Sequence, residues 1–119
     1  MTANDILNNA LGLLGYVENN GGVQSLQRIY NRALPIVNLV YSDILRMEGI
    51  EKPRIKSLAE EIELSDKAID VFACGVAGYI AASEGDDNAQ ALWMAEYQAR
   101  RTTLTKVTEI KDVLPTPEY

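Results

Sequence analysis

The chain has 119 residues, 47% of them hydrophobic and 24% charged, which bounds it to one domain with a modest core. Eleven Lys and Arg against seventeen Asp and Glu give a net charge of −6. That balance argues against tight non-specific binding to DNA, which needs many cations on phosphates. With no histidine and one cysteine, the usual general base, the commonest metal ligand and any intramolecular disulfide are excluded.

The first helix is expected over Ala3 to Leu14. Thr2 or Asn4 can cap it, Asp5 lies in the first turn, and Gly15 is placed to end it. Ile6, Leu7, Ala10, Leu11 and Leu14 recur at helical spacing. Tyr16 to Gly22 reads as a turn-forming loop. The second helix is the longest, from about Val23 to Glu48, stopped by Gly49. Leu26, Tyr30, Ala33, Val37, Val40, Ile44 and Met47 step by fours and threes to give one seam, which Ile29, Leu34, Ile36, Leu39, Tyr41 and Leu45 widen into a bundle face. Pro35 removes a backbone donor inside it, so a kink or two abutting helices are expected there. Ile50 to Leu64 is a connector, with Pro53 blocking the helix and Ile55, Leu58, Ile62 and Leu64 as apolar anchors.

The third helix, DKAIDVFACGVAGYIAA (Asp66 to Ala82), follows a Ser65 cap and is apolar nearly all round. A helix without a polar face must be surrounded by others. Ala73, Ala77 and Ala81 make a small-residue ridge, and Gly75 and Gly78 add positions of close approach. Each glycine costs ~1 kcal/mol of helix propensity relative to Ala, tolerable where two backbones must come near. Gly85 breaks the chain, and Asp86 or Asp87 caps a fourth helix running to about Val107, with Ala89, Leu92, Trp93, Tyr97, Leu104 and Val107 facing inward. Pro115 and Pro117 keep the last residues from extending it. The fold class expected is all-α: a bundle of four to five helices, with a long kinked second helix and a central Ala/Gly-rich one. Residues 1–107 form the bundle domain and 108–119 a flexible or extended arm.

The patterns that carry chemistry are weak here. No Gly-rich phosphate loop and no Cys/His cluster is written in the sequence. Glu84, Asp86 and Asn88 alternate like a calcium loop, but Ala89 stands where its glycine belongs and Ala95 where its last glutamate belongs. Glu60, Glu61 and Glu63 read as a solvated face. Lys52, Arg54 and Lys56, and Arg100 and Arg101, lack interleaved aromatics and read as ion-paired surface or a subunit contact. Cys74 reads as a buried structural thiol. The longest apolar run holds Asp70 and falls short of the ~20 residues of a membrane span. No cofactor or metal is expected, and the start, MTANDILNN, lacks a signal-peptide pattern. A soluble intracellular protein without enzymatic activity is the expectation.

Three segments, IVNLVYSDILRMEG (Ile36 to Gly49), IKSLAEEIELSDKAI (Ile55 to Ile69) and CGVAGYIAASEGDDNAQALWMAEYQARR (Cys74 to Arg101), resemble the small head–tail connector, or adaptor, proteins of tailed bacteriophages and prophages. The likeness runs from about Tyr30 to Leu104. It rests on an Asn and a Tyr-x-Asp in the long helix, the Ala/Gly helix, Glu84-Gly85-Asp86 and the later Tyr97.

The resemblance implies a structural virion protein, assembled in the host bacterial cytoplasm. It would form a ring beneath the portal vertex, matching the portal's symmetry, that joins the DNA-filled head to the tail. The implied partners are the portal protein, a stopper or tail protein and further copies of the chain. DNA would pass through the lumen without sequence-specific binding, and no membrane is involved. Gly75, Gly78, Gly85 and Asp86 would serve packing and the helix break, and Val113, Leu114, Pro115, Pro117 and Tyr119 would lie on a partner-binding arm. The competing reading is a small helical DNA-binding or regulatory accessory protein such as a terminase small subunit, which would need a basic recognition helix.

Overall fold

The computed structural model describes residues 1–16 and 23–104. It is all-α, with four helices among them: α1 (Ala3–Leu13), α2 (Val23–Glu48), α3 (Asp66–Ser83) and α4 (Asp87–Arg101). The helical starts and stops written in the sequence are realised through specific caps. Thr2 and Asp5 form a reciprocal capping box on α1, Ser65 Oγ accepts from the Ala68 amide on α3, and Asp86 Oδ1 accepts from the Ala89 amide on α4.

Gly15, Gly49 and Gly85 all carry positive φ, between 70° and 82°, at the ends of α1, α2 and α3. At the last of these the Asp86 amide donates to Ala81 O (2.9 Å) and the Gly85 amide to Ala82 O (3.2 Å), satisfying carbonyls the helix would otherwise orphan.

Helix α3 is the axis of the bundle, packed against α1, α2 and α4. Eleven of its residues are buried, from Ala68 to Ala81, with Phe72 stacked on Tyr41 of α2 at 5.8 Å between ring centroids. Around it lie Ile6 and Leu7 of α1 and Val37, Val40 and Ile44 of α2, none of them accessible.

Helix α2 runs unbroken through Pro35, so two abutting helices do not form. Pro35 and Asn31, one turn earlier, are both on the exposed side, where water can take the carbonyl that proline leaves without a donor. The seam is narrower than its spacing predicts. Tyr30 is 36% exposed, with its hydroxyl donating to Asn8 Oδ1 of α1 (2.9 Å), and Leu39 is 51% exposed.

The connector is an extended segment with one turn near Leu58–Glu60, and it buries Ile55 and Ile62. Its carbonyls serve the start of α1: the Ala3 amide donates to Glu60 O (3.0 Å) and the Asn4 amide to Leu58 O (2.8 Å). Two of the orphan donors of that helix are thereby satisfied from 50 residues or more away.

Helix α4 stops at Arg101, short of the expected Val107, although Leu104 is still buried just beyond it. Leu92, expected inside, is 54% exposed. Among the described helices only α3 covers α4 closely, so just a narrow stripe of its surface is shielded by them, and Tyr97 is its one fully buried residue. Val107 and the arm lie outside the described residues. No described helix is long and apolar enough to cross a membrane.

Candidate functional site

The densest polar site lies where α2 meets α4. Asp43, on α2, receives four hydrogen bonds. Tyr97 Oη and Arg101 Nε (2.9 Å) donate to its Oδ2, and Arg101 Nη2 (2.8 Å) and Arg46 Nη2 (2.8 Å) donate to its Oδ1. A carboxylate offers about four lone-pair sites, so this one is filled. Burial works to raise the Asp43 pKa, but the bonds from Arg101, Tyr97 and Arg46 outweigh it and hold the carboxyl below its ordinary value. Tyr97 is pushed the other way, by burial first and by the adjacent Asp43 carboxylate second, so its hydroxyl keeps its proton at neutral pH. A saturated carboxylate and a tyrosine locked as a donor have no free capacity for proton transfer or metal ligation. Their chemistry is to fix α4 in register on α2.

Close packing beneath this tie is set by glycine. A Cβ built on Gly75 would lie 2.7 Å from Tyr97 Cε1 and 2.8 Å from Val40 Cγ1, so α3 passes between α2 and α4 with no room for a methyl. At Gly78 the nearest neighbour is Met94, whose Sδ would be 2.5 Å away. Cys74, beside Gly75, is buried, and burial raises its thiol pKa away from the reactive thiolate.

A second tie closes the other end of the bundle. Glu84, at the end of α3, accepts from Arg28 Nη2 (2.6 Å) and Arg32 Nη2 (3.1 Å), both on α2. Its side chain is 10% exposed, and the Arg28 hydrogen bond keeps its carboxyl below the usual range. The third tie is Asn38, whose Nδ2 donates to Ile55 O (2.8 Å) while its Oδ1 accepts from the Ile55 amide (2.7 Å). One side-chain amide thus imitates a strand neighbour for the connector.

Of the site residues expected from sequence, Gly75 meets both α4 and α2, Gly78 meets α4, Gly85 holds the left-handed turn, and Asp86 caps α4. Val113, Leu114, Pro115, Pro117 and Tyr119 lie outside the described residues. The alternating Glu84, Asp86 and Asn88 do not gather: Glu84 belongs to two arginines and Asp86 to a helix cap. No group of three or more metal-binding side chains occurs among the described residues.

The basic clusters separate in the same way. Lys52 pairs with Glu63 (3.2 Å), Arg100 with Glu96 (3.0 Å) and Arg101 with Asp43. Sequence reasoning missed the distant partners of Asp43 (Tyr97 and Arg101) and of Glu84 (Arg28 and Arg32), all more than 50 residues away along the chain.

No protein-family model, no curated protein and no solved structure matches this chain.

Proposed function

We propose that the chain is a structural subunit of the head–tail junction of a tailed bacteriophage or prophage, one copy of a ring that seats on the portal and receives the stopper or tail. The observation that supports this reading is a coincidence of residues. Those that carry the resemblance to connector proteins are the ones that tie the helices together: Asn38 to the connector segment, Asp43 to Tyr97, Gly75 under the Tyr97 ring, and Glu84 to α2. A motif made of helix-to-helix ties specifies a rigid shape, and a ring subunit needs its shape held more than it needs a reactive centre. The negative net charge fits a lumen through which DNA slides without sticking.

The test is to mix the purified protein with the portal ring encoded in the same genome and to measure native mass. Saturation near one copy per portal subunit is the expected result. No association by a chain shown to be folded would overturn the reading. A salt-sensitive gel shift with duplex DNA would then favour the accessory DNA-binding protein.

A further inference from the structure

A groove of about 450 Å³ opens between α1 and α4, with α3 as its floor. Leu13 forms one wall, Trp93 the other, and Ile69 and Ala73 lie between them, with Asp70 and Arg100 at the rim. The volume is in the range of ~300–1,000 Å³ of sites that bury a ligand. Its apolar lining is only partly covered: Leu13 is 41% exposed and Trp93 half-buried.

The position of the chain's own end identifies an occupant. Arg100 lines the groove, and the described chain stops at the buried Leu104, four residues further on. Fifteen residues follow, and in the first ten of them stand Val107, Ile110, Val113 and Leu114. At up to ~3.3 Å per residue, even the three residues to Val107 span about 10 Å, and the reach to Leu114 exceeds 30 Å. An apolar segment therefore begins beside an apolar groove with ample length to enter it.

We infer that this groove is the docking site of the chain's own C-terminal segment, residues 105–119, held in the free subunit by Ile110 and Leu114 and their aliphatic neighbours. The inference does not depend on the connector reading. It also gives Trp93, the single tryptophan, a role as reporter, because it lines the groove.

The experiment compares acrylamide quenching of Trp93 in the full chain and in the full-length variant I110D/L114D, with helicity followed by circular dichroism. The expected result is a severalfold rise in the quenching constant and a red shift in emission at unchanged helicity. A synthetic peptide of residues 105–119, added in excess to the variant, should restore the shielding. If the double variant loses helicity, Leu114→Asp alone is read in the same way. Equal quenching in the parent and a folded variant would overturn the inference. Shielding that appears only as concentration rises, with a doubled native mass, would also overturn it and assign the groove to a second copy.

Discussion

Replacing Gly75 and Gly78 separately by alanine separates two effects that act in opposite directions. Each substitution gains helix propensity, worth ~1 kcal/mol in a helix interior. At Gly75 the new methyl meets atoms that cannot retreat. The Tyr97 ring is anchored through its hydroxyl to Asp43, and Val40 is wholly buried in α2, with contacts of 2.7 and 2.8 Å. Overpacking of this kind costs about 1–3 kcal/mol, and two rigid neighbours put it in the upper half of that range. The net expectation for Gly75→Ala is a loss of about 1–2 kcal/mol once the propensity gain of ~1 is subtracted. At Gly78 the close atoms are the far end of Met94, an unbranched side chain that can rotate away, with its backbone nitrogen no nearer than 3.3 Å. Gly78→Ala should therefore fall within about 0.5 kcal/mol of the parent, as the same gain offsets a mild rearrangement. Urea unfolding followed at 222 nm reads both, as a shift in midpoint at constant slope. A Gly75→Ala protein as stable as the parent, or less affected than Gly78→Ala, would refute the reading of Gly75 as the glycine whose neighbours cannot give way.

Three further outcomes are expected. Asn38→Ala removes both bonds to Ile55 and should cost about 1–3 kcal/mol, because a buried amide and carbonyl lose their partners; hydrogen exchange at the Ile55 amide should speed up selectively. Asp43 has a folded pKa below its ordinary 3.8, so its stabilisation is complete above that pH and disappears as pH falls through the folded value; Asp43→Asn should flatten the acid limb of a stability–pH curve. Glu48 is buried at the end of α2 and burial raises its pKa above 4.5, which reverses the sign: Glu48→Gln should be more stable than the parent at pH 7, with the gap closing as pH falls toward 4.5.

The helix ends were legible because each demands a residue type. A positive φ calls for glycine, and Gly15, Gly49 and Gly85 mark three termini to within two residues. The burial of α3 was legible because an apolar circumference has nowhere else to go. What periodicity could not give was the width of cover. An apolar stripe does not state how much of it a neighbour reaches, and Leu39, Tyr30 and Leu92 were misplaced for that reason. The Asp43–Arg101 tie, spanning 58 residues, and the two arginines on Glu84 depend on how helices pack, which no local window contains. The end of α4 at Arg101 was missed because Thr102 and Thr103 carry neither a glycine nor a proline to announce the stop.

The extended connector has a consequence for how copies of this chain can meet. A long strand-like segment on a surface normally offers a ladder of free amides and carbonyls, a template on which another chain can add a strand. Here that ladder is largely taken: Ile55 by Asn38, the carbonyls of Leu58 and Glu60 by the start of α1, the Ile62 amide by Met1 O, and the Lys56 amide by Glu60 Oε1. The segment is spent internally, which guards it against strand-to-strand aggregation. Among the described residues, that leaves side chains on helical faces, where geometry and charge can be chosen residue by residue, as the surface on which another chain would be met, in place of backbone that would accept any partner.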